Sequence, residues 1–141
     1  ERLINDDLPG AIATYELALQ QNPNNYIASN NLAYLYLQKG EIDKAKGYGK
    51  KAVALEPNNL AALDTLAQIY TAEKDYKEAL DIYKRMVSDD MQNEEIFLNY
   101  VEVLLLSGET FLGKRKLEQR TMKQRISIVR EAKLRADFGL E

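Results

Sequence analysis

The chain of 141 residues has no cysteine, no histidine and no tryptophan, and only three prolines. Without thiol or imidazole it has no thiolate nucleophile, no disulfide, no histidine proton relay and no Cys/His zinc site. Long apolar runs are missing as well. No stretch approaches the roughly 18 to 20 continuous apolar residues that span a bilayer, so no transmembrane segment is expected. The first residues, Glu1, Arg2, Leu3 and Ile4, show neither an initiator methionine nor a charged-then-apolar leader, which gives the expectation of a soluble piece cut from something longer. Cysteine-free chains occur in both periplasm and cytoplasm, so redox logic leaves both compartments open.

What is present is 45% apolar residues, enough for one compact unit or a short repeat array. The net charge of −3 is unevenly spread. Residues 1–113 hold 10 Lys/Arg against 18 Asp/Glu, or −8, whereas residues 114–141 hold 9 against 4, or +5. An acidic body is followed by a basic tail.

The chain repeats itself. Pro23, Asn24 and Asn25 recur as Pro57, Asn58 and Asn59, and the same offset of 34 reaches Met91, Gln92 and Asn93. That offset also relates Leu32 to Leu66, Ala33 to Ala67, Tyr36 to Tyr70, and Ala11 to Ala45 to Ala79. Apolar residues stand at helical spacing between these marks, so each period predicts two helices. Pro57 lacks an amide hydrogen and disfavours helix at Glu56, and the asparagines after it suit a turn and the next cap. The predicted helices cover 8–21, 26–38, 42–55, 60–73, 76–89, 94–107, 111–122 and 125–138. The first has no partner beyond Leu3 and Ile4, which leaves its inner face exposed.

These positions resemble the tetratricopeptide repeat. One copy reads Ser29, Leu32, Ala33, Tyr36, Ala45, Gly49, Pro57, and a second reads Leu63, Leu66, Ala67, Tyr70, Ala79, Tyr83, Met91. A half copy, Ala11, Tyr15, Ala18, Pro23, precedes them, and a worn copy, Phe97, Tyr100, Val101, Leu104, Gly108, Gly113, Leu117, follows. The resemblance implies an all-α fold, a right-handed α-solenoid of antiparallel helix pairs. The array occupies 1–122, with a half repeat at 3–24 and repeats at 25–58, 59–92 and 93–122; a basic capping helix occupies 123–141. Small residues let the paired backbones approach, and the tyrosines fill the space between pairs. Gly47 and Gly49 interrupt the second helix of the best copy, and Arg120 stands where a small apolar residue belongs. The run from Asn30 to Ala33, followed by Leu63 to Leu66, is also similar to repeats of bacterial envelope lipoproteins linked to PEP-CTERM sorting and exopolysaccharide export, which would imply an assembly role.

Carboxylate pairs such as Asp6/Asp7, Asp89/Asp90 and Glu94/Glu95 are sequential and diverge by about 100° on a helix, so they make no acid/base couple. No enzyme activity, metal or cofactor is expected. By resemblance, the first helix of each pair lines a concave groove for a peptide or partner protein. The corresponding residues are Asn30, Asn31 and Tyr34, then Asp64, Thr65 and Gln68, then Leu98, Asn99 and Glu102. None is basic, so the groove suits an uncharged or basic peptide rather than a clamped carboxylate. Nucleic acid is not an expected partner, because the −8 body opposes it. Met122, Ile126, Val129 and Ala136 predict an apolar stripe under the capping helix, with its charges turned outward, open to self-association or another anionic surface. Two other roles remain open at this point, an assembly segment of a larger envelope protein and the regulatory arm of a larger enzyme.

Overall fold

The computed structural model describes residues 7–88, 91, 93–123 and 128–140, and all of the regular structure among them is helical. Helices α1 (Leu8–Gln21), α2 (Tyr26–Lys39), α3 (Ile42–Leu55) and α4 (Leu60–Ala72) belong to one compact unit, Glu1–Asp75. Helices α5 (Tyr76–Met86), α6 (Glu94–Leu106), α7 (Thr110–Lys123) and α8 (Ile128–Asp137) belong to a second, Tyr76–Glu141. All eight expected helices are present. α5 ends three residues before the predicted 89, which lies outside the described residues, as do 124–127.

The helix starts show the period at atomic scale. Asn25, Asn59 and Asn93 each stand one residue before a helix, and each side chain accepts a hydrogen bond from the third residue on. The donors are the amides of Ala28 (3.1 Å), Ala62 (3.0 Å) and Ile96 (3.0 Å). Each cap satisfies one of the amides that the first helical turn leaves without a partner.

The helix ends repeat with equal regularity. Gly40, Lys74 and Gly108, again 34 apart, all have left-handed backbone, with φ of 86°, 65° and 94°. Around each, the next amide reaches back to a carbonyl five residues earlier: Glu41 to Tyr36 at 2.9 Å, Asp75 to Tyr70 at 2.9 Å, Glu109 to Leu104 at 2.8 Å. These are Schellman turns, which stop a helix by satisfying its last carbonyls. The chain reverses there within a few residues, so α2 and α3 form an antiparallel pair, as do α6 and α7.

In the first unit the core is built from Ile12 of α1, Leu32, Ala33, Leu35 and Tyr36 of α2, Ala45 of α3 and Ile69 of α4. Tyr36 stacks on Tyr48 at 5.7 Å between ring centres. Its hydroxyl donates to Glu16 at 2.6 Å. That carboxylate, with burial, raises the Tyr36 phenol to about 12. Asn59 donates to the Tyr26 hydroxyl at 2.9 Å, and Lys46 pairs with Glu73 at 2.7 Å. On α1, Ala11, Tyr15 and Ala18 are only half-buried, while Ala45, Gly49 and Ala52, 34 residues on, are buried. Leu3 and Ile4, expected to accompany this face, lie outside the described residues.

The two glycines of α3 have different surroundings. A Cβ on Gly49 would lie 3.1 Å from Ile69 Cδ1 and 3.3 Å from Leu66 Cδ1, so glycine there permits α4 to approach. A Cβ on Gly47 would meet nothing within 4 Å. Gly49 therefore serves close packing within the chain.

The second unit has its own core of Phe97, Leu98, Val101 and Leu105 from α6, Leu117 from α7 and Leu134 from α8. Arg120 is buried in this unit. Its guanidinium lies 4.3 Å from the Phe97 ring centre and donates to the carbonyl of Met91. Two departures from the repeat thus meet each other, since Met91 replaces the helix-ending proline and Arg120 replaces a small residue.

Candidate functional site

In the first unit the expected inner residues lie on α2 and α4, which are neighbours in the same core. α2 presents Ile27, Asn31 and Tyr34 along one stripe, at i, i+4 and i+7. Ile27 is 57% exposed and Tyr34 38%, unusual for such large apolar groups, and Asn31 between them is half-buried. Asn30 is also half-buried, with its Oδ1 sealed from solvent. On α4, Asp64 and Gln68 are half-buried, and Gln68 donates to the Asp64 carboxylate at 2.8 Å. That bond holds the carboxylate in place one turn from its own helix partner.

Two expected contact residues are corrected by the structure. Thr65 is only 7% exposed and Leu98 is 0% exposed, so both lie beneath the surface. Leu98 is covered because its core includes Leu134 of α8, an element the sequence placed only as a cap. Ile27 is an exposed residue of the same α2 face that the sequence reading left out. Its signal was available, for it precedes Asn31 by four and Tyr34 by seven on the same face.

In the second unit Asn99 and Glu102 lie on α6, and both are engaged by Arg130 of α8. Arg130 Nη2 donates to Asn99 Oδ1 at 3.0 Å and to Glu102 Oε1 at 2.8 Å, while Nη1 donates to Glu95 Oε2 at 3.0 Å. The expectation that the basic tail turns all its charges outward is corrected here. Two more tail cations are paired within α8, Lys133 with Asp137 at 2.8 Å and Arg135 with Glu131 at 2.9 Å. The Asp137 carboxylate holds the Lys133 ammonium above the usual range. The predicted apolar stripe also changes. Ala136 is exposed and Leu134 is the buried residue; Ile126 and the side chains of Met122 and Val129 lie outside the described residues.

The register explains this seating. α8 begins 34 residues after α6 and 68 after α4, the place of the first helix of a further repeat. Leu134 stands where Leu66 and Tyr100 stand, and keeps their burial. Glu131 and Arg135 replace Leu63/Phe97 and Ala67/Val101, so an ion pair stands on α8 where the earlier copies carry apolar residues.

Among the described residues no group of His, Cys, Asp and Glu could hold a metal ion, and no helix is long and apolar enough to cross a membrane. The helix pairs, asparagine caps and Schellman turns at a period of 34 define a tetratricopeptide-type repeat protein. More specifically, the profile of the family described as "Anaphase-promoting complex, cyclosome, subunit 3", which is of this repeat type, matches residues 5–86, and the chain belongs to that family. Among curated proteins no sequence matches the chain. Among solved structures the chain is similar to YrrB, described as a TPR protein with an unusual peptide-binding site, at 22% identity and a TM-score of 0.70, over 89% of this chain and 62% of that one. It is also similar to a tetratricopeptide repeat protein from Parabacteroides merdae, at 16% identity and a TM-score of 0.73, over 96% of this chain and 57% of that one. The chain thus spans about three fifths of the length of these structures, and the likeness establishes the all-α repeat fold.

Proposed function

We propose that the chain is a non-catalytic interaction scaffold whose first unit binds an uncharged or basic peptide along α2 and α4, through Asn30, Asn31, Tyr34, Asp64 and Gln68. The observation that carries this is the exposed stripe of Ile27, Asn31 and Tyr34 on α2, beside a carboxylate at Asp64 that Gln68 holds in position. Large apolar groups kept exposed at helical spacing mark an interaction face. A backbone-binding carboxamide between two apolar shoulders fits a polypeptide, with the carboxylate selecting against acidic side chains. The similarity to YrrB supports a peptide as ligand, since that protein is described as having a peptide-binding site.

The test is a peptide library sorted by charge, screened with the whole chain, followed by two substitutions. Asp64→Lys should weaken a basic ligand by about tenfold, and Tyr34→Ala should weaken every ligand by a similar factor, from the loss of one charge pair and one aromatic contact. The circular dichroism melt should stay unchanged in Tyr34→Ala, whose side chain is exposed, and should fall only slightly in Asp64→Lys, which also loses the Gln68 bond. Binding that ignores both substitutions would place the site elsewhere.

A further inference from the structure

Arg130 meets its three acceptors on α6 at Glu95, Asn99 and Glu102. These are the offsets i, i+4 and i+7, and subtracting 68 gives Ile27, Asn31 and Tyr34, the α2 stripe proposed to receive a partner. A guanidinium from the chain itself therefore stands on the α6 counterpart of that stripe. The repeat does not call for arginine there. Earlier copies place Ala62 and Ile96 at the same position, and both are buried.

Nor does the seating of α8 depend on this contact. Leu134 is buried with Phe97, Leu98, Val101 and Leu117, and Phe138 and Leu140 pack against that group. The polar contacts differ in kind, because the Glu95 and Glu102 side chains remain 72% and 43% exposed, although Arg130 between them is only 22% exposed. Pairs open to water on the carboxylate side contribute modestly, so a competing guanidinium can take the place of Arg130 with α8 still docked on its apolar contacts. Glu95 and Glu102 outnumber Arg130, and the neighbouring Lys133 is itself paired with Asp137, so one excess negative charge remains and favours a cation over an anion at the site. Three acceptors spread over two turns suit the planar, five-donor guanidinium better than the compact ammonium of lysine.

We infer that the α6 stripe formed by Glu95, Asn99 and Glu102 is a guanidinium-binding site that Arg130 keeps self-occupied, and that the partner it fits is a polypeptide segment presenting an arginine. This extends the reading that inner stripes receive a partner, but it rests on residues of α6 and α8 rather than α2 and α4.

The experiment measures fluorescence anisotropy of two labelled decapeptides, otherwise uncharged, one with a single arginine and one with lysine in its place. Arg130→Gln in the full chain should bind the arginine peptide about tenfold more tightly than the unmodified chain, the worth of two partly exposed pairs returned to the ligand. The lysine peptide should gain less. Adding Glu95→Gln and Glu102→Gln to Arg130→Gln should remove the gain. Equal binding by Arg130→Gln and the unmodified chain overturns the inference, and so does a gain that survives loss of both carboxylates. Should Arg130→Gln lose helical signal, Arg130→Lys carries the test, with a smaller gain of the same sign expected and no gain counting against it. Tyr34→Ala, which tests the α2 stripe, must leave the Arg130→Gln gain intact; a gain lost with Tyr34 places the peptide on α2 and overturns the assignment to α6.

Discussion

Tyr36 joins the core to the surface through one hydroxyl. Its ring stacks on Tyr48 inside the first unit, and its oxygen donates to the exposed carboxylate of Glu16. A carboxylate acceptor and burial both favour the protonated phenol, hence the rise from 10.0 to about 12. Folding therefore favours the neutral form. Its stabilisation is full below the ordinary phenol pKa and is lost as pH climbs from about 10 towards 12. Ultraviolet titration should show Tyr36 ionising late, and Tyr36→Phe should take one tyrosine out of the late step together with its share of the alkaline loss of stability. A titration in which Tyr36→Phe leaves the last step unchanged would refute the assignment. The two glycines of α3 show what a sequence reveals at this scale. Both interrupt a helix, yet Gly49 lies 34 residues from both Tyr15 and Tyr83, in the packed seam, whereas Gly47 lies 34 from Ala13 and Asp81, on the exposed side. Register alone separates them, although the distances to Ile69 and Leu66 need the fold.

At the scale of elements, starts and stops were the most legible features. Asn25, Asn59 and Asn93 carry their capping role in local chemistry, because a short side-chain acceptor before a helix has few other uses. The stops were less evident at one position. Gly40 and Gly108 advertise a left-handed turn, but Lys74 takes the same backbone with a side chain that disfavours it. Lys74→Gly should therefore stabilise the first unit by about 1 kcal/mol, the left-handed penalty less the added freedom of glycine in the unfolded chain. Thermal melts compare the two, and a lower midpoint for Lys74→Gly would count against the strain. The seating of α8 was the least legible. Its helix was visible as a pattern, but the burial of Leu98 depends on Leu134 arriving from more than thirty residues away. Neither hydropathy nor local propensity at Leu98 distinguishes a groove-lining leucine from a covered one.

For the whole molecule, the two compact units each carry a separate apolar core, one with Leu32, Tyr36 and Ile69, the other with Phe97, Leu98 and Leu134. In repeat proteins, stability is close to a sum of local and nearest-neighbour terms, so parts can open without the rest. Native-state hydrogen exchange in low urea should sort the amides of α2 to α4 and those of α6 and α7 into two groups with different opening energies. A single opening energy for both would show one cooperative block. The side-chain links described above have a further consequence, because all of them are short in sequence. Glu16 to Tyr36 spans 20 residues, Lys46 to Glu73 spans 27, Tyr26 to Asn59 spans 33, and Glu95 to Arg130 spans 35. None of these reaches much beyond one period, so each can close soon after its second partner leaves the ribosome. These links can thus form in the order in which the chain is made, each without waiting for much more than one further period.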